Sequence, residues 1–382
     1  MKIFLSFISI FAFIIGTACH NKTETARIEV IEGITHIHNP VTPLHPQKTI
    51  SFEEELTIGG EEQISKAHLS QPTNLVVDED ENIYVSDWSD QDIKVFDKEG
   101  NYIRTIGAKG SGPGEFQRIG SITLLPDRKL VVMDFDARRT SIFDPDGQFL
   151  NSYQWQTPLF FILLATDSSY TTTENSYEQE RQLFVKTFDF SGNELVSFGE
   201  FKPEQMEMVK LGEFWISIPK PFAPHSIFVG DPKNQWLYHC YNSNYLIELY
   251  DETGKLFRKI DRPYKPVPFT NEDKQKYLER KRSVPNSRFE EIFKKITFPD
   301  YKTISKNFLV DDQNHLWVRT FEVKQENDKS YVAYDIFNQD GFYEARVWID
   351  LFPRLFLKGK MYTIETDKET DLQMVKRYRV LW

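Results

Sequence analysis

An internal repeat is the feature that most constrains how this chain can fold. An apolar run closing on an acidic turn, Leu75 to Asp87, is followed by a second run, Ile93 to Phe96, and the turn Asp97-Lys98-Glu99-Gly100-Asn101. The same order returns as Ile122 to Asp134, then Ser141 to Phe143 and Asp144-Pro145-Asp146-Gly147-Gln148. From Gly100 to Gly147 the step is 47 residues, and from Gly147 to the equivalent Gly192 it is 45. Periods of that size belong to propellers and solenoids. Looser copies of the turn follow at Asp251 to Gly254 and Asn338 to Gly341, and of the preceding hairpin at Val229 to Tyr238 and Asp311 to Val318. An Asp or Asn followed by Gly between two short apolar runs is the chemistry of a tight antiparallel hairpin, so the units are strands rather than helices.

A sixth copy, Leu355 to Ile364 and Leu372 to Val380 with Asp367 to Thr370 as its turn, stops after three strands, whereas Thr49 to Ile58 is a spare strand ahead of the first complete unit. Pairing the two would close a ring and protect two open edges. The expected fold is therefore all-β, a six-bladed propeller over residues 49–382. The polar stretch near 269–300, with Lys274, Lys276, Lys281 and Arg282, lacks the repeat and reads as a helical insertion.

The linker Ile106 to Phe116, with glycines at 107, 110, 112 and 114, leads into a new hairpin. Together with Asn82 to Asp87 and Ile93 to Asp97 it resembles the NHL-repeat beta-propellers. The chain as a whole resembles six-bladed propeller lipoproteins of Bacteroides-type bacteria, most specifically over residues 72–150. That resemblance implies a fold and an address rather than an activity. A phosphate-loop reading of the glycines fails, because no Lys-Ser/Thr follows Gly114.

The first residues, Met1-Lys2, the apolar run Ile3 to Ile15 and Gly16-Thr17-Ala18-Cys19, have the layout of an export signal and are too short for a confident membrane span. They resemble a bacterial lipoprotein signal, with Gly16 in place of the usual Leu. The resemblance implies that residues 1–18 are removed, that Cys19 carries lipid, and that the protein resides at the outer membrane, facing the periplasm or the surface. Residues 19–48, with His36, His38, His45 and Pro40, Pro43 and Pro46, read as the anchored linker. Cys240 then has no partner, and its aromatic strand favours a buried thiol over a nucleophile. His239 and Cys240 are adjacent strand residues on opposite faces, a poor dyad.

The charge balance, 46 Lys and Arg against 57 Asp and Glu for a net of −11, argues against nucleic acid as a partner. Trp88, Arg138, Arg139, Tyr170, Tyr241 and Trp317 flank connections between strands and are the candidate ligand-binding residues, fit for a carbohydrate, a peptide or an envelope protein. The alternative is a metal-assisted lyase or hydrolase working in the central channel, where groups from several blades can meet. His68, His225, His239 and His315 bear on that alternative, as do the oxygen-rich turns Asp78 to Glu81 and Asp311 to Asn314. No cofactor is expected; calcium or zinc in the channel belongs to the alternative alone. Related propeller lyases and lactonases hold central metals, but their ligand patterns do not map onto this chain.

Intact-mass measurement on membrane-purified protein should show loss of residues 1–18 and an acyl adduct on Cys19. An unmodified Cys19 would reject the anchor.

Overall fold

The computed structural model describes residues 25–60, 68–156, 159–176, 181–282 and 295–382. The export segment and Cys19 lie outside them. Six four-stranded antiparallel sheets follow one another along the chain. Blade one is Pro72–Val77, Ile83–Asp87, Asp92–Phe96 and Tyr102–Ile106; blade two is Ile119–Leu124, Leu130–Asp134, Arg139–Phe143 and Phe149–Gln154. Blade three is Leu159–Ala165, Ser169–Ser176, Gln182–Asp189 and Glu194–Phe201; blade four is Ser226–Asp231, Trp236–Tyr241, Leu246–Tyr250 and Leu256–Asp261. Blade five is Asn307–Val310, Leu316–Glu326, Lys329–Phe337 and Tyr343–Ile349. Blade six is Pro353–Leu357, Lys360–Thr366 and Gln373–Leu381, completed by Ser51–Ile58. The first strands of successive blades lie side by side around the axis, and that of blade six returns to that of blade one.

Closure is by the spare N-terminal strand, as the repeat requires. Ser51–Ile58 runs antiparallel to Gln373–Leu381, with Ile58 opposite Val375 and Ser51 opposite Leu381. The acidic run Glu53-Glu54-Glu55 faces a basic one. Glu54 meets Lys376 at 2.8 Å, Glu55 meets Arg377 at 3.4 Å, and Glu53 meets Arg379.

The hydrophobic core is divided among the blade interfaces. Between blades one and two, Tyr84, Val95 and Ile106 pack on Phe116, Val132 and Phe143. Between five and six, Trp317 and Tyr334 pack on Phe356, Met361 and Tyr378. Phe116 closes the glycine-rich linker onto this core: its amide donates to Ala108 O at 2.8 Å, and its ring leaves no room for a side chain at Gly107. Burial of one such ring is worth roughly 1.5–3 kcal/mol.

The repeated turn between third and fourth strands explains why its residues recur. Asp97, Asp144, Asp189 and Asp251 each accept backbone amides of their own turn through the side chain, and Asn338 does the same in blade five. The glycine of each turn has φ between 81° and 91°. Except at Gly192, it also touches the preceding blade. A Cβ at Gly147 would lie 2.7 Å from Ile106, and one at Gly254 would lie 2.8 Å from the carbonyl oxygen of Ser197. Arginines from the preceding blade cap these turns: Arg104 donates to Pro145 O at 2.5 Å, Arg258 to Gln339 O at 2.6 Å and Arg377 to Lys98 O at 2.7 Å.

One expectation is corrected. Within the stretch read as a linker, Arg27–Ile31 and Ile34–His38 form a hairpin, and Ile34–His38 pairs in parallel with Leu256–Asp261, widening sheet four to six strands. Glu32 and Gly33, both at positive φ, make its two-residue turn. The three prolines mark only the segment after the hairpin, whereas the apolar residues Ile28, Val30 and Ile31, then Ile34 and Ile37, on either side of Glu-Gly are themselves a hairpin signature. In the insertion, Asn271–Arg282 is helical; Thr270 and Asp273 cap it reciprocally, Asp273 N donating to Thr270 Oγ1 at 3.2 Å and Thr270 N to Asp273 at 3.0 Å.

Replacing Gly254 by Val combines a strained φ with a backbone clash. Thermal unfolding of Gly254→Val should show a loss of about 2 kcal/mol or more, a drop of several degrees. An unchanged midpoint would refute the requirement for glycine.

Candidate functional site

The topology gives the ring two unlike ends. Turns joining first to second and third to fourth strands lie at one end; turns joining second to third strands, and the connections between blades, lie at the other. The first end is knitted by contacts between neighbouring turns. Arg128 reaches Asp80 at 2.6 Å and Asp78 at 3.5 Å, Lys360 pairs with Glu81, and Asp127 N donates to Asp167 at 2.8 Å. Gly359 N donates to Asp312 at 2.5 Å.

The second end carries the insertions. Between blades three and four stands a separate hairpin, Met206–Leu211 and Phe214–Pro219. Between blades four and five stands the segment with the helix. The two form one unit: Val209, Ile216 and Ile218 pack on Ile296 and Phe298, and Glu207 accepts from Thr297 N at 3.2 Å and from its hydroxyl at 3.1 Å. Tyr277 of the helix packs against Phe222 and Phe298, and Phe269 packs against the same two rings. The register of the hairpin turns Met206, Met208 and Trp215 to the opposite face, and all three are exposed. At its tip Phe214 is 77% exposed and Trp215 60%. Adjacent aromatics this open to water are costly unless something covers them.

Of the candidate ligand-binding residues, Trp88, Arg138 and Tyr241 sit at this second end, where second strands turn into third strands. Trp88 and Arg138 are exposed, and Tyr241 is half-buried, with Lys202 4.7 Å above its ring. The other three are corrected to internal roles. Trp317 is 0% exposed, donates to Asp311 at 2.9 Å and stacks on Phe356. Tyr170 is buried against Phe188 and Phe190. Arg139 is buried and donates to Gly112 O at 3.0 Å and Glu115 O at 2.6 Å, pinning the glycine-rich linker. In each, an apolar or long side chain beside a turn fills a blade interface rather than facing water. Phe214 and Trp215 escaped notice because their segment lies outside the repeat; two adjacent aromatics just after Gly212 were the available signal.

The oxygen-rich turns are hydrogen-bonded shut. Asp78 accepts from Asp80 N at 2.9 Å and Asn82 N at 2.8 Å; Asp311 accepts from Gln313 N, His315 N and Trp317 Nε1. Asp87 and Asp134, at the ends of second strands, take the amides of Gln71, Gln117 and Arg118. His239 lies between Glu248 and Ser226, both at 3.1 Å, and with Lys259 holds the Glu248 carboxyl down at about 2. His315 lies between Asp311 at 2.9 Å and Glu344 at 3.5 Å. His225 reaches Ala223 O at 3.2 Å, and His68 is exposed. Among the described residues, no group of three or more His, Cys, Asp and Glu is placed to hold a metal ion.

A family of six-bladed beta-propellers, DUF5128, matches residues 65–344, most of the ring just described. The chain belongs to this family. Two solved structures share the DUF5128 chain's architecture. One is a Bacteroides fragilis protein described, by inference, as exported: 11% identical, TM-score 0.53, covering 91% of this chain and all of its own. The other is a member of the DUF4221 family from Bacteroides vulgatus: 10% identical, TM-score 0.53, covering 87% of this chain and 98% of its own. At such identities the likeness is one of fold. No curated protein matches the chain in sequence.

Where the DUF5128 chain leaves blade four for the insertion, a second feature appears. Asp335, wholly buried, accepts from the Tyr245 hydroxyl at 2.6 Å and the Tyr343 hydroxyl at 2.9 Å. It pairs with Arg262 at 3.1 Å and Arg346 at 2.7 Å. Burial opposes its charge, and the two guanidiniums outweigh that and hold its carboxyl below the usual range. Beside this network lies a cleft of about 330 Å³ lined by Val41, Pro43, Arg262, Tyr264, Lys265 and Glu322, among others.

Cys240 is buried among Tyr238, Ile247 and Leu249, and desolvation pushes its thiol up to about 12. Native protein should resist alkylation at this thiol, and Cys240→Ala should cost about 1–2 kcal/mol through a small cavity. Rapid native alkylation would overturn the assignment.

Proposed function

We propose that this chain is an exported, non-catalytic recognition propeller. It is tethered through lipidated Cys19 at a bacterial outer membrane and holds a carbohydrate, peptide or envelope protein on its insertion-bearing end. The carrying observation is the contrast between the two ends: one is knitted by ion pairs and hydrogen bonds between neighbouring turns, and the other presents Met206, Met208, Phe214 and Trp215 on a braced hairpin. Rigid aromatic side chains supply contact area at little entropic cost, and adaptable methionines fit their surface to a partner, which suits recognition. Beyond them at the same end, Trp88, Arg138 and Tyr241 supply further aromatic and cationic contacts. The NHL-like repeats, the signal-like N-terminus and the fold shared with the Bacteroides fragilis protein described, by inference, as exported support the address. The internal partners of His239, His315 and Cys240 favour this reading over a metal-assisted lyase or hydrolase.

Carbohydrate and peptide arrays probed with the mature protein should yield a bound class. Replacing Phe214 and Trp215 together by Ala should weaken that binding at least tenfold, the loss expected of central aromatic anchors. Glu99→Ala, in a turn of the opposite end, should leave it unchanged. Undiminished affinity in the double variant, or chemical turnover of the bound ligand, would overturn the reading.

A further inference from the structure

We propose that the cleft between blades four and five is a binding site for a small carboxylate-bearing ligand of about monosaccharide size. The site stands apart from the Phe214 and Trp215 face and does not depend on it. Its volume of about 330 Å³ lies at the lower end of the range for small-molecule sites.

Charge favours an anion. Arg262 and Arg346 are balanced by Asp335 and Glu322, through contacts of 2.7–3.1 Å. Lys265 remains over. It is exposed on the cleft wall, and no carboxylate pairs with it among the described residues. A local surplus of positive charge in a chain of net −11 runs against the general trend of the surface.

Hydrogen bonding points the same way. Two donors on lining residues, Arg262 Nε and the Tyr264 hydroxyl, are shielded from solvent and have no partner among the described residues. Leaving such a group unmet costs about 1–3 kcal/mol. Both oxygens of Asp335 are already engaged, by Tyr245, Tyr343, Arg262 and Arg346, so it serves neither donor. A carboxylate brings two acceptor oxygens, one for the Tyr264 hydroxyl and one for the Lys265 ammonium. Glu322 is bonded to Arg346 through one oxygen, and its other oxygen, with no hydrogen bond among the described residues, can accept from a ligand hydroxyl. A hydroxylated acid therefore fits better than a bare anion.

The third wall is main chain. The segment after the N-terminal hairpin is held by Arg262 donating to Val41 O at 3.3 Å, and by Leu44 N and His45 N donating to Tyr343 O and Glu344 O at 2.9 and 2.8 Å. The segment follows directly on the hairpin docked on blade four, which brings it to the cleft.

Calorimetric titration of the mature chain with glucuronate, glucose and inorganic phosphate tests the assignment. Glucuronate should bind, and glucose and phosphate should each bind at least about tenfold more weakly. Lys265→Ala, an exposed change, and Tyr264→Phe, which removes one oxygen, should each weaken glucuronate about tenfold with the unfolding midpoint of the free protein unchanged. The Phe214 and Trp215 double variant should bind glucuronate normally, which separates this site from the aromatic face. The proposal is overturned if glucuronate fails to bind, if phosphate binds equally well, or if neither Lys265→Ala nor Tyr264→Phe weakens it.

Discussion

The structure depends on one pairing, that of Ser51–Ile58 with Gln373–Leu381. A propeller blade buries its apolar faces only against its neighbours, so an open ring would leave two faces and two strand edges in water. The chain meets this by giving its last blade an outer strand from its beginning. The pairing is specified twice over, by apolar positions such as Ile58 and Val375, and by three consecutive acids set against Lys376, Arg377 and Arg379. Each ion pair contributes little, but together they disfavour a slipped register, which would disrupt all three at once.

Closure also dictates where function can be placed. Once the N-terminal strand is committed to blade six, the residues before it must cross the rim from blade four to reach it. They do so as a hairpin added in parallel to blade four, followed by a strap whose Asn39 donates to Gly341 O at 2.9 Å and accepts from Tyr343 N at 2.8 Å. Gly341 is the turn glycine of blade five, and a Cβ there would meet Ile260 and Ile37 at 2.8–2.9 Å. The turn chemistry of the repeat, the added hairpin and the strap are thus one packing arrangement, and the cleft beside Arg262 is its by-product.

The two ends of the ring differ because their connections differ in freedom. Turns within a blade pair are short and fixed by Asx hydrogen bonding, leaving little room for variation. The connections on the other end tolerate long insertions at small entropic cost, and blades three to five use that freedom for a hairpin and a helix braced by a small core of their own.

Much of this was legible in the residues themselves. The spacing of Gly100, Gly147, Gly192, Gly254 and Gly341 announced the blades, because a tight turn with positive φ needs the same local chemistry wherever it recurs. The missing fourth strand of the last copy announced the closure. The polar character of residues 269–300 marked a segment outside the repeat, and Asn271–Arg282 within it is helical. What the sequence could not decide is which side chains beside the turns face water. Trp317, Tyr170 and Arg139 look as available as Trp88 or Arg138 when read along the chain, and only the neighbouring blade buries them. Likewise Asp335, Arg262, Arg346 and Tyr245 lie up to 101 positions apart (346 minus 245) and carry no local motif. Turn propensity is a property of a few adjacent residues, so the sequence by itself determined the repeat, the strands and the ring; burial and charge pairing are properties of blades meeting across space, so only the tertiary structure decided the site.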